Sequence, residues 1–176
     1  INGFYSFNKK NNNFHIITSS FEHKASLDVC KLLDSYSNVS ITYIKPDKMG
    51  IINVNDIKSS ITKNTKLISI MHVNNEIGTI QPIKNIGVIC KKNNIAFHVD
   101  AAQSLGKTDI DVNKMAIDFL SLSAHKIYGP KGIGALYINK DKFKILPLIA
   151  GENNENSYRS GTLPTPLIVG FGKACE

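Results

Sequence analysis

The sequence predicts an α/β layer fold in which helices cover both faces of a mainly parallel sheet. The first observation is that short apolar runs of strand length alternate along the chain with amphipathic stretches of helical length. The second is that residues 66–73 are almost fully apolar, which is typical of a parallel strand buried on both faces. No apolar run approaches the roughly 20 residues that a membrane-spanning helix needs.

Each element follows from its local composition. In chain order, we expect a strand at 15–18, a helix at 25–36, a strand at 40–44, a helix at 56–61, a strand at 66–73, a helix at 82–92, and strands at 95–99, 119–123 and 135–138. The strands are apolar, β-branched or aromatic, whereas residues 25–36 place apolar side chains at near-helical spacing. Asn55 or Asp56 is the expected cap of the second helix, and Pro82 suits the first turn of the third.

Size and charge limit the possible functions. The chain has 176 residues, enough for one domain with a hydrophobic core, and its formal charge is +7. The basic residues are dispersed and are not interleaved with aromatic ones, so the charge indicates solvated faces and not a nucleic-acid surface. A local excess of positive charge would instead suit the binding of an anionic cofactor.

The cysteines indicate neither a disulfide framework nor a zinc site, and no metal site is expected. Cys30, Cys90 and Cys175 are far apart, odd in number and form no CxxC pair. Cys30 and Cys90 fall inside helical patterns and are expected to be small buried hydrophobic residues. A reducing compartment fits this use of cysteine best.

Ligands of a parallel sheet bind beyond the carboxyl ends of its strands. The residues of interest therefore follow apolar runs, at 19–23, 74–78, 100–103 and 123–126. Asp100 ends one such run, where a carboxylate is costly unless a cation pairs with it. By itself it suits a helix cap or a structural ion pair. The alternative is a carboxylate that keeps the ring nitrogen of pyridoxal 5'-phosphate (PLP) protonated and so improves the electron sink.

A second polar group follows another apolar run. Ser123, His125 and Lys126 precede a turn rich in Gly and Pro. A lysine that faces a cleft can be desolvated, which makes its amine a nucleophile able to form a Schiff base with an aldehyde. Ser123 and His125 are two residues apart, so a strand would place both on one face, where they could bind a phosphate. Any single lysine is far more often a surface group, and only the joint pattern with Asp100 and Gln103 favours a site.

Two longer stretches extend these patterns. They read HVDAAQSLGK at residues 98–107 and SAHKIYGPKGIGALY at residues 123–137. Both closely resemble the cysteine desulfurases of iron–sulphur cluster assembly, which are PLP-dependent enzymes of fold type I in the class V aminotransferase family. Shorter stretches agree in the same order, at 18–24, 73–78 and 159–166. Because these collinear motifs cover nearly the whole chain, the resemblance is highly specific.

The resemblance implies roles in a PLP site. Lys126 resembles the lysine that holds the cofactor and later moves the α-proton of the substrate, and His23 resembles the histidine that stacks on the ring and shuttles protons. Asp100 resembles the partner of the ring nitrogen. The other expected ligands are Gln103 at the ring hydroxyl, Asn75 near the ring hydroxyl and the substrate carboxylate, Ser123 and His125 at the phosphate, and Thr162 at the phosphate of the other subunit.

Taken singly, several of these residues have simpler interpretations. His23 alone would be a structural hydrogen-bonding residue, and Asn75 alone would be a turn residue. Glu76 and Arg159 suit structural ion pairs as well as they suit a site, so neither is assigned as a ligand. His98 shares a strand face with Asp100 and is expected in the core or behind the site.

The resemblance also implies an activity. It indicates an enzyme that converts L-cysteine to L-alanine and passes the sulfur to an enzyme persulfide. It further implies a homodimer, an iron–sulphur scaffold protein as sulfur acceptor, and a mitochondrial location in a eukaryote or a cytoplasmic one otherwise. The start at Ile1 without Met and the end inside a helix-like stretch lead us to expect a piece of a longer protein. Residues 1–176 would be the central part of the PLP-binding large domain, without the small domain or the catalytic-cysteine loop.

Some features leave alternatives open. Residues 151–157 depart from the glycine-rich segment usual in the family, and Cys175 lies in a different context from the family's nucleophilic cysteine. A related PLP-dependent aminotransferase or a selenocysteine lyase would share the cofactor site. A non-catalytic, truncated copy would carry the same residues without the sulfur-transfer machinery.

Overall fold

The computed structural model describes residues 1–9, 13–149, 151 and 158–176, and a six-stranded sheet forms its centre. The strands are β1 (Phe14–Ser19), β2 (Val39–Ile44), β3 (Thr65–Met71), β4 (Ala96–Asp100), β5 (Phe119–Ser123) and β6 (Gly134–Ile138). The helices are α1 (Asn2–Asn8), α2 (Lys24–Asp34), α3 (Val54–Ser60), α4 (Ile83–Lys92) and α5 (Thr165–Cys175). A short 3₁₀ turn spans Ala124–Ile127.

The strand order across the sheet is β2-β1-β3-β4-β5-β6, so β3 and β4 are the central pair. The neighbouring pairs from β2 to β5 are parallel, and β6 runs antiparallel to β5. The register of the central pair runs from Leu67 opposite Ala96 to Met71 opposite Asp100. The predicted α/β fold with a mainly parallel sheet is confirmed.

Helices cover both faces of the sheet because successive side chains of a strand point to opposite faces. Ile68 and Ile70 of β3 lie in one buried cluster with side chains of α3 and α4. Leu67 of the same strand lies in a second cluster with side chains of α1 and α2. The central strand is therefore buried on both sides, as its nearly continuous apolar sequence predicts.

The predicted strands and the three predicted helices are all present, with bounds shifted by at most two residues. The largest strand difference is the end of β3, which stops at Met71 and not at residue 73. Beyond it, the Asn74 side-chain oxygen accepts the backbone N–H groups of Glu76 and Ile77 at 2.9 and 3.0 Å. This turn ends the strand because the side chain offers the backbone an alternative to the sheet.

Two helix starts differ from the sequence expectation. Helix α3 begins at Val54 because Asn53 is its cap and accepts the N–H of Asn55 at 2.9 Å, so the choice of Asn55 or Asp56 is wrong. Helix α1 is not predicted at all, and it has no side-chain cap. Tertiary packing stabilises it, since the Phe4 ring contacts three aromatic rings of the core at centroid distances between 5.5 and 6.0 Å.

None of the described helices combines the length and the apolar character that a membrane crossing requires.

We predict that Gly87→Ala destabilises the fold although alanine is the better helix former. A Cβ atom at Gly87 of α4 would lie 1.9 Å from the carbonyl oxygen of Met115, and backbone cannot move aside cheaply. Overpacking of this kind costs about 1–3 kcal/mol, more than the roughly 1 kcal/mol that helix propensity returns. Urea unfolding of the full-length protein that contains this chain measures the change.

Gly172→Ala in α5 is the matched control. Nothing lies within 4 Å of a Cβ atom built there, so alanine should leave the free energy of unfolding unchanged or raise it by up to about 1 kcal/mol. Equal effects of the two substitutions would contradict the packing of α4 described above.

Candidate active site

One cavity gathers nearly all the residues predicted for the site. It has a volume of about 350 Å³ and lies at the carboxyl ends of β3, β4 and β5, beside the start of α2. Its lining includes His23, Asn75, Asp100, Gln103, Ser123, His125 and Lys126. The volume is typical of a small-molecule site, and the position is the one expected for a parallel sheet.

His23 lies at the rim, where it is the N-cap of α2. Its Nδ1 atom accepts the backbone N–H of Ala25 at 3.1 Å. A nitrogen that accepts a hydrogen bond carries no proton, so in the neutral ring the proton is on Nε2. The capping bond therefore sets the orientation of the ring and leaves Nε2 as its donor atom.

Asp100 ends β4, with one carboxylate oxygen accepting the N–H of Ala102 at 3.0 Å. The residue is half-buried, and the turn that follows carries Gln103 into the same cavity. The side-chain oxygen of Gln103 also accepts a hydrogen bond from Lys107 at 3.3 Å. Asp100 is thus held by a local turn and not as a helix cap or in an ion pair among the described residues, and it lines the cavity.

The Ser123–Lys126 segment differs in local structure from the expectation. The strand ends at Ser123, and His125 and Lys126 belong to the 3₁₀ turn, so no strand face is shared by Ser123 and His125. The Ser123 hydroxyl nevertheless lies 3.0 Å from Nδ1 of His125, because the turn folds the imidazole back. Lys126 lines the cavity with an exposed side chain, whereas the sequence suggested a desolvated one.

The turn that holds Lys126 ends in an unusual backbone conformation. Tyr128 has φ +66°, in the left-handed region that costs a residue with a side chain about 1 kcal/mol. Gly129 follows, and a Cβ atom there would lie 2.9 Å from the carbonyl oxygen of Ala124. The N–H groups of both residues donate to this same oxygen, which closes the turn tightly.

Of two further predicted site residues, Asn75 lines the cavity and Thr162 does not. Asn75 lines the cavity and donates a side-chain hydrogen bond to Glu76 at 2.6 Å. Thr162 is exposed between β6 and α5 and does not line the cavity, so its expected role toward another subunit stays a prediction. Of the altered segment at 151–157, residues 152–157 lie outside the described residues.

His98 lies behind the cavity, as expected. Its side chain is 6% exposed, and its two ring nitrogens lie 2.8 Å from the hydroxyls of Ser69 and Ser121. Burial lowers the pKa of His98 to about 3, so the ring is neutral and links three neighbouring strands. Ser121 also lines the cavity, so the hydrogen bonds of His98 help to hold this part of the cavity wall in place.

Glu22 falls in the range 19–23 of the sequence analysis, which assigns it no role. It stands beside His23, is only 4% exposed, and accepts hydrogen bonds from the Ser19 hydroxyl and the Met71 N–H. Burial, with a smaller contribution from Asp100, raises the pKa of Glu22 to about 7. The available signal was an acidic residue three positions after the end of a strand whose six residues are all buried.

Two further observations concern the rest of the described structure. A cavity of similar volume, about 380 Å³, lies beside α1 with apolar side chains such as Phe4, Leu67 and Phe119, and it contains none of the predicted ligands. Within the described part of the chain, no group of three or more His, Cys, Asp or Glu residues could hold a metal ion.

Comparison with curated proteins finds close relatives. The mitosomal cysteine desulfurase of Trachipleistophora hominis is 54% identical over 164 residues, which cover 93% of this chain and 37% of that protein. The cysteine desulfurase IscS of Rickettsia massiliae is 53% identical over 174 residues, which cover 98% of this chain and 41% of that protein. The chain therefore spans about two fifths of the length of these relatives.

Solved structures share the fold. The structure described as SspA in complex with cysteine superposes with a TM-score of 0.94 and 49% identity, over 98% of this chain and 50% of that chain. A NifS-like protein gives a TM-score of 0.92 and 39% identity, over 98% and 47%. The profile of the class-V aminotransferase family matches residues 4–176, and the chain therefore belongs to that family.

Proposed function

We propose that this chain is the central, cofactor-binding part of the large domain of a PLP-dependent cysteine desulfurase. The observation that carries the proposal is the gathering of the predicted ligands around one cavity at the carboxyl edge of the sheet. The relatives named cysteine desulfurase, at 53–54% identity, support the choice of reaction. The neighbour structure that contains cysteine supports the choice of substrate.

The chemistry of the cavity fits PLP. Asp100 provides an anion for the protonated ring nitrogen, and Lys126 provides a primary amine for the aldehyde. Ser123 and His125, 3.0 Å apart at the end of β5, provide a hydroxyl and an imidazole for the phosphate. When bound, PLP supplies an electron sink for the carbanion that forms on the substrate.

The remaining assignments follow from the same cavity. Gln103 and Asn75 would donate to the ring hydroxyl, with Asn75 also near the substrate carboxylate. His23 would lie against the ring, presenting the proton on Nε2 that its capping bond leaves free for donation. Thr162, exposed in this chain, would reach the phosphate of the second subunit of a homodimer.

In the proposed reaction, Lys126 moves the α-proton and a thiolate takes the sulfur. The amine of Lys126 takes the α-proton of L-cysteine, since it is the basic nitrogen at the point where the substrate amine is held. A thiolate then attacks the substrate sulfur, and the carbon–sulfur bond breaks. The electron pair of that bond remains on the substrate β-carbon, which takes up one proton, and Lys126 returns a proton to the α-carbon, so L-alanine forms while the thiolate becomes a persulfide.

The sulfur-accepting thiol is proposed to lie outside this chain. Cys30 and Cys90 are buried, and burial raises the pKa of both thiols, that of Cys30 to about 11. Such thiols are poor nucleophiles because the thiolate is the reactive form. Cys175 is exposed but does not line the cavity.

The proposal extends to partners and location. An iron–sulphur scaffold protein would receive the sulfur, since the relatives include IscS proteins. The mitosomal relatives support a mitochondrial or mitochondrion-derived compartment in a eukaryote, and the Rickettsia relatives support the cytoplasm in a bacterium.

We predict that Lys126→Ala abolishes the visible absorption band of lysine-bound PLP in the purified full-length protein. The expected wild-type band responds to added L-cysteine. Lys131→Ala is the control, because Lys131 follows the same turn without lining the cavity, and it should keep the band. A folded wild-type protein that shows no band when PLP is supplied would contradict the cofactor assignment.

We further predict that Asp100→Asn lowers kcat for alanine formation on the order of 100-fold at saturating PLP, a typical loss for an electrostatic group at a reaction centre. The neutral amide cannot hold the ring nitrogen protonated. Asp109→Asn, at an exposed position outside the cavity, should leave kcat unchanged. Wild-type kcat in the Asp100 variant would remove this residue from the mechanism.

A further inference from the structure

Glu22 forms a link between the turn of His23 and the centre of the sheet. One carboxyl oxygen, Oε1, accepts the Ser19 hydroxyl at 2.6 Å and the backbone N–H of Met71 at 2.9 Å. Ser19 ends β1 and Met71 ends β3, so a single oxygen ties two adjacent strand ends together. The residue is 4% exposed and is the residue directly before the cap of α2.

This link sets the distance between two walls of the cavity. On one side, His23 follows Glu22 and begins α2. On the other, Met71 lines the cavity and pairs with Asp100 in the register of β3 and β4. Loss of this link would separate the His23 turn from the end of β3, which lies beside Asp100. The His23 and Asp100 side chains themselves would be unchanged.

The second oxygen, Oε2, indicates the protonation state. It is buried and has no hydrogen-bond partner among the described residues, and none of their ion pairs involves Glu22. Among the described residues, the titratable groups that interact electrostatically with Glu22 are the Asp100 carboxylate on β4 and the Cys30 thiol on α2, and neither is a cation. An ionised, unpartnered oxygen costs far more in such a place than a neutral hydroxyl does.

We propose that Glu22 is a positioning residue for the proposed PLP site and that it acts as a neutral carboxylic acid. It holds the His23 turn against the end of β3 while leaving Asp100 as the negative charge at the ring nitrogen. The cofactor part of this inference depends on the proposed function, whereas the protonation of Glu22 can be tested without it.

The pKa shift of Glu22 sets the sign of a pH effect. Burial raises its pKa from an ordinary value of 4.5 to about 7, and the nearby Asp100 adds to the shift, while the hydrogen bonds from Ser19 and Met71 oppose it. The folded state then holds a proton that the unfolded state has lost between these two pH values. Stability from this group is present below pH 4.5 and is lost as pH rises to about 7.

The first experiment compares wild type with Glu22→Gln by urea unfolding of the full-length protein from pH 4.5 to pH 8. Glutamine keeps the acceptor oxygen, is neutral and does not titrate. We expect the unfolding constant of wild type, divided by that of the variant, to rise on the order of 100-fold across this range. An infrared difference spectrum at pH 6 should show a protonated carboxyl band in wild type that the variant lacks.

The second experiment tests positioning through PLP affinity and the absorption band. Glu22→Ala removes the acceptor, and we expect PLP to bind about tenfold more weakly with a displaced band, whereas Glu22→Gln restores both. Asp118→Asn is the matched control. Asp118 is 2% exposed and accepts the Phe97 N–H at 3.0 Å, but it lies at the amino end of β5, away from the cavity. Its variant should therefore lose stability and keep wild-type PLP affinity.

The outcomes separate the possibilities. A constant ratio of unfolding constants, or an infrared spectrum without the carboxyl band, would overturn the neutral acid. If the alanine variant lowers stability without changing PLP affinity or the band, as the Asp118 variant should, the positioning role is overturned. Should the alanine variant fail to fold, Glu22→Asp replaces it, because it keeps the carboxyl group and shortens its reach. Failure of the proposed cofactor would appear separately, as a wild type without a band.

Discussion

The parallel pairing of β3 with β4 is the constraint on which the rest of the structure depends. Both strands are buried in the middle of the sheet, and their register ends with Met71 opposite Asp100. Because parallel strands finish at the same edge, the polar residues after each of them are brought together without long loops. The sheet thus brings separate positions of the chain to one cavity, with apolar strands below it and polar side chains around it.

A buried sheet requires that its few polar side chains find partners inside the protein. His15 links β1 to its neighbours through the hydroxyls of Thr65 and Thr42, at 2.7 and 2.9 Å. His98 does the same for β4 through Ser69 and Ser121. Burial lowers the pKa of both histidines, so each acts as a neutral cross-link that costs no buried charge.

Two buried carboxyl groups, Asp118 at the amino end of β5 and Glu22 near the carboxyl ends of β1 and β3, have different electrostatic surroundings. Burial raises the pKa of Asp118, but Lys142 at 3.3 Å opposes the shift with a positive charge. Glu22 has no ion-pair partner among the described residues, and the titratable groups that interact with it electrostatically there are the Asp100 carboxylate and the Cys30 thiol. Asp118, at the amino end of β5, is therefore stabilised by an ion pair, whereas we propose that Glu22, beside the cavity, is neutral.

The sequence by itself determined the strands, three of the helices and most of the polar residues that line the cavity, because periodicity and residue type are local properties and the motifs are specific to one family. Only the tertiary structure decided α1, whose Phe4 gains its stability from aromatic rings distant in sequence, and the end of β3 at the Asn74 turn. It also decided the 3₁₀ turn at Lys126 and the burial of Glu22. A residue's desolvation and its missing partners depend on chain segments that no local pattern contains, which is why the position of Glu22 emerged only from the fold.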